Sequence, residues 1–413
     1  MKNLFRRFIE PYRGLPMQIY IMFIARIINS LGNFVYPLLT LILVQKIGIN
    51  TRKAGMFMTM AALLSAPGMM LGGKLIDTIG RKKVIIIFQS SAATVFIICS
   101  RLKPSMSMAY VLILAPIFTS FCMPAQDAVV ADLTTYKNRK EAFSLLYMGH
   151  NLGFAIGPLI AGFLYKNHLP LVFIGDAVTT LLSLVLVIFY VEETMNYKKN
   201  LKQNDINILE KEEKGSVISI LKKRPSLIYF SLISFIYQFA YSQWGFLLPL
   251  QLGKIFGENG ARYFGTMAAV NGIIIIIFTS TIVENTKGIN HLKIISLGGI
   301  LYTMSFFIFA ITSSLIFFFI SIAIMTIGEI IVSTNTPTFI SINSPRSHRG
   351  RINAVLPTIY GSGWALGPVS MGKFSSMYGI QKSWILICMC MIVAVGLMFL
   401  LSRVMYKENY NSY

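Results

Sequence analysis

Apolar stretches of about 20 residues, the length a helix needs to cross a hydrocarbon core, recur along nearly the whole of this 413-residue chain. Twelve can be counted, at about 18–45, 54–72, 84–103, 106–131, 143–165, 169–191, 227–252, 263–283, 293–312, 315–336, 353–377 and 382–403. With 55% hydrophobic and only 13% charged side chains, the chain is too apolar for a soluble protein of its size. The expected fold is an all-α membrane protein. The first stretch follows "MKNLFRRFIEPYRGLP", which is basic like the start of a signal peptide. It is too long for one and lacks a small-residue cleavage site, so it is expected to stay as the first helix.

A net charge of +21 would suit a nucleic-acid partner, but the positions of the cations exclude that use. About 26 of the 37 lysines and arginines fall in the termini and even-numbered loops, and about 9 in the odd-numbered loops. Both termini are therefore expected on the cytoplasmic side, with the cations drawn to anionic lipid there. Cys99, Cys122, Cys388 and Cys390 all lie within the stretches and show no zinc or disulfide spacing. No phosphate-cradling GxxxxGK[ST] loop is present, so direct use of ATP is not expected, and no constellation of residues calls for a metal or cofactor.

Residues 192–226 form the one long polar segment and divide the stretches six and six. The expected domains are thus a bundle over 1–191, a cytoplasmic linker over 192–226 and a bundle over 227–413. A shift of 210 residues lays "GHNLGFAIGPLIAG" of stretch five over "YGSGWALGPVSMG" of stretch eleven. Gly153, Gly157, Pro158 and Gly162 then coincide with Gly363, Gly367, Pro368 and Gly372. With six crossings per half, the copies run the same way, as in parallel transporter repeats. Small residues let helix backbones approach closely, and an internal proline leaves a carbonyl without its helical partner. The pattern predicts two pseudo-symmetric six-helix bundles with equivalent close-packed seams.

The loop after stretch two reads Gly73, Lys74, Leu75, Ile76, Asp77, Thr78, Ile79, Gly80, Arg81, Lys82, Lys83. It resembles the GxLaDrxGrkx signature of the major facilitator superfamily. Stretch five is similar to the GxxxGPxxGG element of drug/proton antiporters, with Ala161 in place of one glycine. The resemblance implies that Asp77 meets the start of stretch eleven, near Arg351 to Asn353, and holds the cytoplasmic side closed. An aspartate there is suited to the positive end of a helix. Gly80 permits a tight turn, and Arg81 can pair with Asp132 at the end of stretch four. Lys82 and Lys83 read as topology signals. The second half keeps only a poor copy, "IVENTKGINHLK".

Ionisable groups inside the stretches are costly in lipid and are functional candidates by default. Glu329, in "IMTIGEIIVSTNTP", lies deep in stretch ten, where low dielectric disfavours the charged carboxylate. "GEI" followed by a proline resembles LmrP-type multidrug antiporters, which implies a role in proton coupling or substrate recognition. That type carries carboxylates where this chain has Leu146 and, in stretch seven, Gln243 and Trp244. Arg26 and Asp127 lie at similar depths, and an ion pair is expected between them, serving either as a proton-sensitive switch or as a static bridge. Arg26 can stand in for the family's span-four arginine. Asp176 reads as an interfacial or helix-capping residue near the outer surface, and Lys373 as one that snorkels.

Polar contacts to a cargo are expected from Asn29, Asn33, Gln126, His150, Asn151, Gln238 and Gln243, and aromatic walls from Tyr36, Tyr147, Tyr241, Trp244, Tyr360 and Trp364. For His150, a helix-to-helix contact is an equal reading. The resemblance implies a monomeric transporter of the bacterial inner membrane that exports a lipophilic small molecule, of multidrug or tetracycline type, in exchange for protons. Nutrient uptake or symport is the second reading, and a polar cage rather than an aromatic cavity would favour it. No nucleophile, metal or cofactor constellation points to an enzyme, and the parallel repeat argues against a simple pore.

Overall fold

The computed structural model describes residues 12–134, 138–195, 219, 221–222, 224–286, 289–343 and 349–411. Most of the expected linker lies outside them. Among the described residues there are helices and turns but no strands. Twelve long helical segments follow in order: α1 Met17–Lys46, α2 Thr51–Thr78, α3 Arg81–Arg101, α4 Met106–Leu133, α5 Arg139–Leu164, α6 Leu169–Tyr190, α7 over 225–256, α8 Asn259–Asn285, α9 His291–Ile311, α10 Leu315–Asn343, α11 Arg349–Tyr378 and α12 Ile380–Asn411. Ten are long and apolar enough to cross a membrane. The remaining two are α7, which is broken into shorter helices, and α11, which is rich in glycine, serine and proline.

The chain divides into two compact units. One comprises Met1–Ile49, Met60–Asp205 and Leu252–Gly272, and the other comprises Asn50–Thr59, Ile206–Gln251 and Ile273–Tyr413. The first unit thus holds most of the first repeat plus the end of α7 and the first half of α8, and the second holds most of the second repeat plus the opening turns of α2. In the first unit α1 packs on α5 and α6, and α3 packs on α4 and α6. In the second, α7 packs on α11 and α12, and α9 packs on α10 and α12. Adding six to each helix number converts the first set into the second.

The repeat extends to two interruptions. Helix α1 stops at Leu31 and restarts at Val35, and α7 stops at Tyr241, passes through a 3-10 turn over Ser242–Trp244 and restarts at Leu247. A restarted helix has backbone N–H groups without intrahelical partners. In α1, Pro37 removes one of these donors inside the first turn, where proline is tolerated. The Asp176 carboxylate accepts the Val35 N–H at 2.7 Å. Asp176 is thus a buried residue of α6 with the helix-capping role, one of the two expected from sequence, and the helix it caps is the second half of α1 rather than its own. In α7, the buried Gln251 amide donates to the Phe309 carbonyl at 2.7 Å and accepts the Trp384 indole N–H at 2.7 Å. An aromatic core surrounds it, with Trp384 5.5 Å from Phe306 and 5.1 Å from Phe309.

Loss of a buried hydrogen-bond partner costs about 1–3 kcal/mol. Asp176→Ala is therefore expected to lower the thermal midpoint of the detergent-solubilised protein, whereas Lys373→Ala, at an exposed position, leaves it unchanged.

Candidate transport site

In the first unit, Arg26, Asn29, Gln89, Gln126 and Asp127 line one cavity, together with Ser183 and Leu146. The Arg26 guanidinium donates through an Nη to the Gln126 amide oxygen, and no Arg26–Asp127 contact within 4.0 Å is present among the described residues. Arg26 and Asp127 nevertheless act on each other electrostatically across the cavity, with the Gln126 amide as the direct partner of the guanidinium. Arg26 Nε and Gln89 Oε1 are buried in this structure without a hydrogen-bond partner. A buried donor and a buried acceptor facing one cavity are suited to bridging water. Asn29 donates to Thr180 Oγ1 at 3.4 Å.

His150 shares a 2.8 Å hydrogen bond with Ser30, tying α5 to α1. Asn151 turns back to the Tyr147 carbonyl at 2.9 Å within its own helix. Asn33 sits in the interruption of α1, and the Tyr36 and Tyr147 side chains are exposed. Sequence reasoning missed Gln89, although an amide inside "VIIIFQSSAATVF" carried the same signal that singled out Gln126.

In the second unit, Glu329 lies at the middle of α10 and is half-buried. Its neighbour Gly328 lets α9 approach: a methyl group at Gly328 would lie 2.8 Å from the Gly298 carbonyl oxygen and 3.1 Å from Tyr302 Cδ1. The Glu329 carboxylate acts electrostatically on Tyr302. The Tyr302 ring is 5.5 Å from Tyr241, which is 5.7 Å from Trp364. Helices α7, α9, α10 and α11 thereby bring together a row of three aromatic rings, with one carboxylate at its Tyr302 end. Tyr302 was not legible in advance, because a tyrosine among so many aromatics stands out only through its neighbours. Gln238 and Tyr360 are half-buried. Gln243 and Trp244 are instead buried in the α7 turn, where Gln243 Nε2 donates to the Phe239 carbonyl at 3.1 Å and to Ser242 Oγ at 2.9 Å.

The glycine seams are equivalent in the two units. A methyl group at Gly153 would meet the Ile27 carbonyl of α1 at 2.5 Å, and one at Gly363 would meet the Phe239 amide of α7 at 2.9 Å. Gly157 lies against Leu31, and Gly367 against Ser242 and Gln243. Gly162 faces the Ala261 carbonyl of α8, and Gly372 faces the Thr51 carbonyl of α2. The Pro158 carbonyl receives Gly265 of α8, and the Pro368 carbonyl receives Gly55 of α2.

The α2–α3 turn is built around Arg81, whose buried Nε donates to Asp132 Oδ2 at 3.1 Å and whose Nη1 donates to the Ile76 carbonyl at 2.8 Å. Thr194 donates to the same Asp132 oxygen at 3.1 Å. Gly80 has φ +100°, a left-handed conformation that favours glycine. Beside it, the Glu193 carboxylate accepts the Arg81 N–H at 2.9 Å and the Lys82 N–H at 3.1 Å, capping α3. Sequence reasoning passed over Glu193 and Thr194, whose only signal was polarity at the end of an apolar stretch. A methyl group at Gly73 would meet nothing within 4 Å. The side chains of Asp77, Arg351 and Asn353 lie outside the described residues.

The sequence matches the Major Facilitator Superfamily profile over residues 22–368. It is 24% identical over 386 residues to a Na(+), Li(+), K(+)/H(+) antiporter of Planococcus maritimus, covering 86% of this chain and 88% of that one. It is 32% identical over 134 residues to Multidrug resistance protein 1 of Bacillus subtilis (strain 168), covering 32% of this chain and 33% of that one. Its fold is similar to the crystal structure of a POT family transporter in complex with 5-aminolevulinic acid, with a TM-score of 0.80, 15% identity and 95% and 97% of the two chains covered. It is also similar to that of the nucleoside transporter NupG (D323A mutant), with a TM-score of 0.75, 11% identity and 94% and 100% covered. Paired six-helix repeats, the charged turn after α2 and this profile match converge on one assignment: the chain is a multi-pass membrane protein and a secondary transporter belonging to the Major Facilitator Superfamily.

Proposed function

We propose that this transporter exports lipophilic small molecules from the bacterial cytoplasm in exchange for protons, as a monomer in the inner membrane with both termini cytoplasmic. The observation that carries the reading is Glu329 acting electrostatically on Tyr302, the first of a row of rings that continues through Tyr241 to Trp364. Aromatic faces offer a planar apolar cargo contact area, and a carboxyl group among them can bind a proton or a positively charged group but not both. Competition at Glu329 then couples the two fluxes, because each ligand biases the alternating orientations through its differential affinity.

Asp127 and Arg26 supply a second proton-sensitive element. A neutral Asp127 leaves Arg26 on Gln126, and an ionised one draws the guanidinium across the cavity. Asp77 and Arg81 act as the cytoplasmic latch, with Asp132 holding Arg81 in place.

Transport into inverted membrane vesicles tests the reading, using fluorescent dyes, tetracyclines and macrolides with and without an imposed pH gradient. Gradient-dependent accumulation is expected, and accumulation indifferent to the gradient would refute proton exchange. A second reading, exchange of monovalent cations for protons, is supported by the Planococcus maritimus antiporter. Dissipation of the gradient by added Na+, Li+ or K+, with no dye moved, would select it.

A further inference from the structure

Inside the first unit, the cavity walled by α1, α3, α4, α5 and α6 holds two polar atoms that no protein group satisfies, Arg26 Nε and Gln89 Oε1. Gln89 is only 7% exposed, so bulk solvent does not serve it. The uncharged polar groups on the walls already have protein partners. Gln126 accepts from the Arg26 Nη, Asn29 donates to Thr180 Oγ1 at 3.4 Å, and Ser183 Oγ donates to the Thr180 carbonyl at 2.8 Å. The charged or titratable groups about the cavity are Arg26 on α1, Asp127 on α4 and His150 on α5, which feels the Arg26 charge but is bonded to Ser30. The wall residues of α3 and α6 add none. The repeat does not demand such a cavity. A shift of 210 carries Arg26, Asn29 and Gln89 onto Ile236, Phe239 and Gly299. At Gly299 a methyl group would run into the hydroxyl of the buried Tyr237, so the second unit fills the same place with a side chain of α7.

We propose that this cavity is a hydration site particular to the first unit, in which one water molecule joins Arg26 Nε, Gln89 Oε1 and the Asp127 carboxylate, and that Gln89 positions Arg26 by holding that water. The hydrogen bonds balance. The water accepts from the Nε–H and donates once to Gln89 Oε1 and once to a carboxylate oxygen, about the three bonds usual for a buried water. Arg26 and an ionised Asp127 are then separated by solvent, and their attraction is weaker than in a contact pair. Gln89 thereby opposes the closing of Arg26 on Asp127, which stays available to a proton where a contact pair would hold it ionised. The consequence for transport rests on the proton-sensitive role proposed above for Arg26 and Asp127. The water itself rests on the two unpartnered atoms alone.

Two measurements on the full-length protein in detergent test this, and neither needs cargo or a proton gradient, so they can fail while proton-coupled export stands. X-ray radiolysis turns a bound water into a hydroxyl radical that oxidises the nearest side chains, which mass spectrometry then locates. Met22, buried in the cavity wall, should oxidise faster than Met391, which is wholly buried in the second unit. Gln89→Leu should slow Met22 oxidation about two- to tenfold, the worth of one hydrogen bond, and leave Met391 unchanged. A lipid-soluble carbodiimide, which reacts with a protonated carboxyl group, reads the positioning of Arg26. Its reaction at Asp127 should fall about two- to tenfold in Gln89→Leu as Arg26 closes on the carboxylate, whereas a merely loosened bundle would raise it. Met22 oxidising no faster than Met391 in the unmodified protein would overturn the water without recourse to any variant. Met22 oxidation indifferent to Gln89→Leu, or carbodiimide reaction at Asp127 that stays level or rises, would overturn the role of Gln89.

Discussion

Glu329→Gln is expected to reduce gradient-driven accumulation to the level of vesicles lacking the protein, while insertion and thermal stability stay close to the parent. Glutamine keeps the shape and hydrogen-bonding capacity of the carboxyl group but cannot release a proton, so the change isolates proton exchange from packing. Cargo binding at equilibrium is a separate readout. If the carboxylate also attracts positive charge, affinity for cationic dyes should fall while that for neutral ones persists. Full gradient-driven transport by the glutamine variant would remove Glu329 from the coupling step.

The second large effect is expected two residues apart on one helix. Gly363→Ala places a methyl group against the α7 backbone, 2.9 Å from the Phe239 amide, where no side chain can move aside. Gly361→Ala meets nothing within 4 Å. Overpacking costs about 1–3 kcal/mol and more where backbone must shift, whereas alanine in a helix is favoured over glycine by about 1 kcal/mol. Gly363→Ala should therefore lower the thermal midpoint in detergent by several degrees, and Gly361→Ala should hold or raise it. Gly153→Ala, in the equivalent seam of the first unit, should match Gly363→Ala. Equal midpoints for the Gly361 and Gly363 variants would show that the seam tolerates side chains.

The helix count and the repeat were legible because lipid thickness imposes a length and because glycine spacing survives translation by 210 residues. Gly153 and Gly363 could be paired without coordinates, since a glycine's role is set by the backbone it must admit. Arg81 and Asp132 could be joined because two charges at adjacent helix ends have few other partners. Asp176 escapes such reasoning for the opposite cause. Its partner is an N–H exposed by an interruption in a different helix, and nothing in the α6 sequence announces that interruption. Charge alone pairs Arg26 with Asp127, but it does not announce that Gln126, one residue earlier on the same helix, supplies the direct hydrogen bond. Tyr302 and Glu193 became visible only when α9 met α10 and when the end of α6 met the start of α3.

The cap on α1 also has a genetic consequence. Because a carboxylate in one helix holds open the start of another, the mutational defects of Asp176 belong to residues more than 140 positions earlier in the chain. Second-site revertants of Asp176→Asn should accordingly cluster at Asn33, Phe34 and Val35 rather than along α6.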